Sequence, residues 1–144
     1  MRILETNSEK ETFSLGEYFG RTARPGRVIT LDGDLGCGKT VFTKGLAHAL
    51  GIEEPVTSPT FTILSVYEEG RLPLYHFDVY RIGDIEEMYE IGYEEYFFGN
   101  GVTVVEWSDL VEELIPADAL RIRIEKDADR GFDYRRITVE GEDE

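Results

Sequence analysis

Eight consecutive residues, Gly33-Asp34-Leu35-Gly36-Cys37-Gly38-Lys39-Thr40, carry the densest chemical information in this chain. They fit G-x-x-x-x-G-K-[ST] at every fixed position, the pattern of a loop that wraps a phosphate. In such a loop the backbone N–H groups point at the anion. The helix that follows adds roughly half a positive charge at its first turn. Gly36 and Gly38 remove the Cβ atoms that would hold the backbone away from a ligand. Lys39 is set to reach the β- and γ-phosphates, and Thr40 to offer its hydroxyl to Mg²⁺. The chemistry implied is the holding of a nucleoside triphosphate.

A triphosphate site needs an acid to organise Mg²⁺ and water, and that acid usually ends an apolar strand. Two residues fit: Glu106, after Val102-Thr103-Val104-Val105, and Asp78, after Leu74-Tyr75-His76-Phe77. Strand ends are where an open α/β sheet places its ligands. Glu106 is the first choice for the metal, because its strand is the more plainly central. Asp78 is then expected to orient the attacking water. In Thr57-Ser58-Pro59-Thr60-Phe61-Thr62, the hydroxyls of Ser58 and Thr60 are candidates for sensing the γ-phosphate, although Ser, Pro and Thr also build ordinary turns. Arg81 is either a cis arginine acting on the γ-phosphate or a surface ion-pair partner. His76 reads as a packed or surface histidine and is assigned no role, and Trp107 reads as a core or groove residue. A guanine-reading N-K-x-D run is missing, since Asn7 and Asn100 are the only asparagines and neither precedes a lysine. That favours ATP over GTP.

The surrounding pattern supplies elements to position these groups. Residues 27–32 (RVITLD) read as a buried strand entering the loop, and residues 39–50 as the helix leaving it, closed by Gly51. Upstream, residues 2–5 form a short strand. Ser8 with Glu11 makes a capping box that opens a helix to Thr22, with Leu15, Phe19 and Ala23 facing inward. Downstream, residues 62–67 and 72–77 flank Glu68-Glu69-Gly70-Arg71 and predict an antiparallel hairpin. Asp84 with Glu87 caps a helix through Ile91, and a helical turn spans residues 93–98. Residues 102–105 form a central strand. Ser108 is expected to cap a helix to Leu114, and residues 119–124 and 134–139 read as closing strands. Together these predict one α/β domain over residues 1–144. Its form is a three-layer phosphate-loop NTPase-like sandwich, whose mixed sheet has a parallel centre and an antiparallel hairpin.

Composition sets outer bounds. Of 144 residues, 41% are hydrophobic and 31% charged, which suits a water-soluble globular chain with a real core. No run approaches the length of a membrane span and the N-terminus lacks a secretory signal, so a cytoplasmic location is expected. A single cysteine, Cys37, forms no internal disulfide. The net charge of −15 is concentrated: residues 84–118 hold eleven Asp or Glu and no Lys or Arg. Such a surface repels nucleic-acid phosphates and suits either solubility or docking to a basic protein.

Read in order, the stretches 33–40, Ser58-Pro59-Thr60-Phe61-Thr62, Tyr75-His76-Phe77-Asp78-Val79-Tyr80-Arg81 and Glu106-Trp107-Ser108 resemble the TsaE family, formerly YjeE. These are small bacterial ATPases required to form threonylcarbamoyladenosine at position 37 of tRNAs that read codons starting with A. The likeness covers roughly residues 8 to 140. It implies that Leu35, Gly36, Cys37, Gly38, Lys39 and Thr40 hold the nucleotide phosphates and that Thr40 and Glu106 bind Mg²⁺, with Asp78 close by. It further implies that Ser58 and Thr60 form a switch-like loop, that Trp107 supports the site, and that Glu9 and Arg135 lie near the base of ATP. Cys37 departs from the pattern, which commonly has Ala or another small residue there; this raises the question of redox sensitivity. The implied partner is a TsaB–TsaD heterodimer, with tRNA engaged indirectly through that complex. A phosphate-loop small-molecule kinase and a non-catalytic nucleotide-dependent docking module are the alternatives. The absence of arginine from residues 82–120, where a kinase lid would carry several, counts against the kinase.

Overall fold

The computed structural model describes residues 1–34, 36–57 and 63–142. Seven strands form one sheet: β1 (Arg2–Thr6), β2 (Val28–Asp32), β3 (Leu64–Tyr67), β4 (Leu74–Asp78), β5 (Val102–Glu106), β6 (Leu120–Lys126) and β7 (Arg135–Glu140). Their order is β1-β7-β6-β2-β5-β4-β3. The four central strands β6, β2, β5 and β4 run parallel, and both edges close with antiparallel pairs. The hairpin expected around residues 68–71 is β3–β4, and the closing strands add a second hairpin, β6–β7, onto which β1 pairs. β2 and β5 are buried nearly end to end because helices cover both faces of the sheet. Among the described residues no helix is long and apolar enough to cross a membrane.

Helices α1 (Glu9–Thr22) and α2 (Lys39–Ala49) cover one face. Phe19, Phe42 and Leu46 pack there against Ile29, Leu31, Val104 and Ile122. The short helices α3 (Glu86–Glu90) and α4 (Tyr93–Phe97), with a 3₁₀ segment at Ser108–Leu114, cover the other, where Met88, Phe97 and Val111 meet Val28, Phe77 and Val105. The acids of this second layer, among them Glu86, Glu90, Glu94, Glu95 and Glu113, are exposed.

The start of α1 follows the capping-box expectation. Ser8 Oγ accepts from the Glu11 N–H at 3.1 Å, while the Glu11 carboxylate reaches one residue further back, to the Asn7 N–H at 3.0 Å. Its buried face includes the expected Phe19 and Ala23, with Leu15 packed against the same core, but it extends beyond them. Leu15 is only half-buried, and Gly16 and Gly20 lie inward beside Phe19. The cause is a close crossing with α2. A Cβ on Gly16 would sit 2.1 Å from the Phe42 carbonyl oxygen, and one on Gly45 2.0 Å from that of Phe13. A four-residue apolar periodicity cannot register glycines packed backbone to backbone. Ser108 also differs: it does not cap an α-helix. Trp107 takes the N-terminal position of a 3₁₀ segment, and the Ser108 side chain turns to Asp32.

Gly45→Ala tests the crossing. Alanine gains up to about 1 kcal/mol of helix propensity, but the clash is with backbone and cannot be relieved by a rotamer. Urea unfolding is expected to show a net loss of about 2 kcal/mol or more; unchanged stability would contradict a crossing this close.

Candidate functional site

Side chains alternate along a strand. On β4 this puts Leu74, His76 and Asp78 on one face, and on β5 Val102, Val104 and Glu106 on the matching face. Leu74, Val102 and Val104 belong to the core beneath α1 and α2, so the polar members of each set face the same way, toward the first turn of α2. The parallel ladder pairs Asp78 with Glu106. Lys39 opens α2, and its side chain is 7% exposed. It folds back over the loop: Nζ donates to the Gly33 carbonyl at 2.7 Å, lies 3.8 Å from Glu106 Oε1 and sits 4.1 Å from the centre of the Trp107 ring. Glu106 is 2% exposed, and its second oxygen accepts from His76 Nε2 at 2.5 Å.

The turn after β5 holds this arrangement in place. Trp107 adopts φ 61°, the left-handed region, and is the one non-glycine residue that does so among the described residues. A bulky side chain pays for that conformation with strain and needs restraint from its surroundings. Here the restraint is Asp32, at the end of β2. Its two carboxylate oxygens accept from the Ser108 N–H at 2.8 Å and the Ser108 hydroxyl at 2.6 Å. Tyr80 adds a ring contact to Trp107 at 4.7 Å. Lys39, Trp107 and Tyr80 thus form a stack running outward from the loop.

Gly36 and Gly38 have φ of 76° and 108°, which fits the reason for glycine at both. Arg135, the first residue of β7, donates from Nε to the Cys37 carbonyl at 2.7 Å, and from a terminal nitrogen to the Phe132 and Tyr134 carbonyls. Its guanidinium therefore ties the loop to the β6–β7 connection. Lys126 adds a cation: a Cβ on Gly36 would lie 3.5 Å from its Nζ. Thr12 of α1 reaches within 3.8 Å of the corresponding point on Gly38. Glu9 lies one turn earlier on α1, exposed, at the same end. Thr40 is half-buried in the first turn of α2. Leu35, Ser58 and Thr60 lie outside the described residues. Arg81 is exposed in the turn after β4.

Two acid–base consequences follow. Burial pushes the Asp78 carboxyl above the ordinary aspartate range, and the neighbouring Glu106 charge adds to it; the Tyr80 N–H at 3.1 Å, His76 and Lys39 pull the other way. Burial also pushes the Cys37 thiol up, outweighing Lys39 and Arg135. A buried thiol with a raised pKa is a poor nucleophile, so Cys37 behaves as the small apolar side chain its position requires. Among the described residues no group of three or more His, Cys, Asp or Glu gathers as a cation cage. The residues that could hold a cation here are Glu106, through its carboxylate, and Thr40, through its hydroxyl. Such hard oxygen donors, few in number, are the kind Mg²⁺ takes alongside phosphate.

Sequence reading missed two residues that the structure brings in. His76 lies between strand hydrophobics, where histidine commonly packs. Asp32 carried a usable signal, because it ends an apolar strand just as Asp78 and Glu106 do.

A glycine loop between a central parallel strand and a helix, with a buried lysine and an acid from the adjacent strand, defines a phosphate-loop NTPase-like protein. The family model described as "Threonylcarbamoyl adenosine biosynthesis protein TsaE" matches residues 6–137, and the chain belongs to that family. It is 50% identical over 133 residues to the tRNA threonylcarbamoyladenosine biosynthesis protein TsaE of Bacillus subtilis, covering 92% of this chain and 81% of the relative. The protein of the same name from Treponema pallidum is 45% identical over 134 residues, covering 93% and 96%. The crystal structure of YdiB from Bacillus subtilis superposes with a TM-score of 0.76 at 43% identity, covering 96% of this chain and 83% of that one.

The burial of Cys37 is directly testable. An opening that costs only about 3 kcal/mol would slow thiol labelling about 100-fold. Alkylation by iodoacetamide, followed by mass spectrometry, should therefore be at least that much slower in native protein than in urea. Labelling at the free-thiol rate would contradict it.

Proposed function

We propose that this protein binds and hydrolyses ATP to support formation of the threonylcarbamoyl group on adenosine 37 of tRNAs reading ANN codons, acting on or with a TsaB–TsaD complex in the cytoplasm. The observation that carries this reading is the buried Lys39–Glu106 pair beneath the glycine loop, in a chain of the TsaE family.

In this reading the loop from Leu35 to Thr40 receives the phosphates on its backbone N–H groups. Lys39 exchanges the Gly33 carbonyl for phosphate oxygens, a stronger partner for an ammonium than a neutral carbonyl. Thr40 and Glu106 would hold Mg²⁺, which neutralises charge on the β- and γ-phosphate oxygens. Asp78 orients water for attack on the γ-phosphorus as the bond to the ADP oxygen breaks. A carboxyl whose pKa burial already raises is suited to taking a proton from that water. Thr60 and Ser58 sense the γ-phosphate, while Glu9 and Arg135 flank the base. The link from Arg135 to the loop carbonyl supports placing that end of the nucleotide near the β6–β7 connection.

The partner assignment has independent support. The exposed acids of α3, α4 and the 3₁₀ segment present negative charge to solvent, and residues 84–118 contain no lysine or arginine to offset it. That face suits a basic protein surface and disfavours direct contact with tRNA phosphates.

Phosphate release measured with and without TsaB–TsaD tests the proposal. Turnover should rise with the complex, and Lys39→Ala should lower it by about two orders of magnitude, equivalent to roughly 3 kcal/mol of lost phosphate stabilisation. Absence of phosphate release in both conditions would overturn hydrolysis and leave nucleotide-dependent docking. Wild-type activity in Lys39→Ala would overturn the loop assignment.

A further inference from the structure

We propose that His76 is the positioning residue for Glu106: it clamps one carboxylate oxygen so that the other faces the first turn of α2, where the cation is needed. This rests on the reading of Glu106 as a Mg²⁺ ligand.

His76 lies two residues behind Asp78 on the same face of β4, opposite Val104 in the ladder and therefore diagonal to Glu106. Diagonal neighbours on adjacent strands are within reach when the side chains are long. Its Nε2 meets Glu106 Oε2 at 2.5 Å, while Oε1 is the oxygen turned toward Lys39 Nζ. The two oxygens therefore have separate tasks, one held from the β4 side and one presented to the loop.

Packing does not explain this histidine. The ring is 1% exposed and its Nδ1 has no hydrogen-bond partner among the described residues. A carboxylate only accepts, so Nε2 carries a proton toward Glu106, and Nδ1 is left as a buried polar atom without a partner among the described residues. Leaving such a group unsatisfied is destabilising. A leucine or phenylalanine would fill the space without that cost. What the histidine adds is one hydrogen bond, to Glu106. Ligating carboxylates are commonly held by an outer hydrogen bond, and removing such a partner typically weakens metal binding or activity about 10–100-fold.

Three substitutions separate the donor from the shape. His76→Phe keeps a ring and removes the donor. His76→Gln places an amide N–H near the position of Nε2, and His76→Asn places one near Nδ1. The first readout is the Mg²⁺ concentration for half-maximal ATP turnover with TsaB–TsaD. The second is the affinity for a fluorescent ADP with and without Mg²⁺. His76→Phe should raise the Mg²⁺ requirement about 10–100-fold and leave metal-free ADP affinity unchanged. Gln should restore the requirement to near wild type, and Asn should not. If wild-type protein turns over no ATP, the hydrolysis reading has failed. The Mg²⁺-induced tightening of ADP still tests His76, because it should be lost in Phe and kept in Gln. If Phe does not fold, the contrast between Gln and Asn decides. An unchanged Mg²⁺ requirement in Phe, equal rescue by Asn and Gln, or wild-type ADP affinity indifferent to Mg²⁺ would each overturn the proposal.

Discussion

Lys39 and Glu106 are both buried, and neither charge is tolerable there without the other. Removing an ion from water costs several kcal/mol even after the protein relaxes, and deleting one partner of a buried pair typically costs about 3–5 kcal/mol. Much of the architecture serves to bring these two groups together and satisfy their remaining valences. Glu106 arrives at the end of β5 and Lys39 at the start of α2, which follows β2, the neighbour of β5 in the sheet. The Gly33 carbonyl and the Trp107 ring take the other sides of the ammonium, and His76 takes the other carboxylate oxygen.

That constraint explains features that look unrelated in isolation. Trp107 accepts a left-handed backbone because the chain must turn immediately after Glu106 and still lay an aromatic face over Lys39. Asp32 stabilises the turn from the neighbouring strand with two hydrogen bonds to Ser108. The glycine crossing of α1 on α2 brings α1 close enough for Thr12 to stand beside Gly38. Arg135 anchors the loop from the opposite side. The result is a loop braced around a lysine that already has partners. On the proposed reading a nucleotide would compete with these partners for Lys39, and drawing it away would disturb the stack from Lys39 through Trp107 to the exposed ring of Tyr80. This coupling suits a protein whose nucleotide state is read by another.

Much of this was legible in the sequence, for physical reasons that differ by residue. The loop from Gly33 to Thr40 could be read because phosphate binding imposes residue types at fixed spacing. The placement of Asp78 and Glu106 could be read because each ends an apolar strand, and the parallel ladder sets them side by side. The parallel centre followed from apolar strands interleaved with helical periodicity. Other features depend on partners distant in sequence. Gly16 and Gly45 have meaning only when two helix backbones meet. His76 looks like packing until Glu106 is seen beside it, 30 residues away. Ser108 has an ordinary helix-capping sequence, but Asp32, 76 residues earlier, takes both its donors.

Trp107 is the only tryptophan in the chain, and the Lys39 ammonium lies against its ring. Intrinsic fluorescence therefore reports on the central pair without any label. If nucleotide phosphates draw Lys39 away, titration with ADP or ATP should produce a saturable change in Trp107 emission, with a midpoint matching calorimetric binding. Loss of that change in Lys39→Met would agree with the account. Saturable nucleotide binding by calorimetry with Trp107 emission unmoved would contradict it, because Lys39 would then have kept its resting partners.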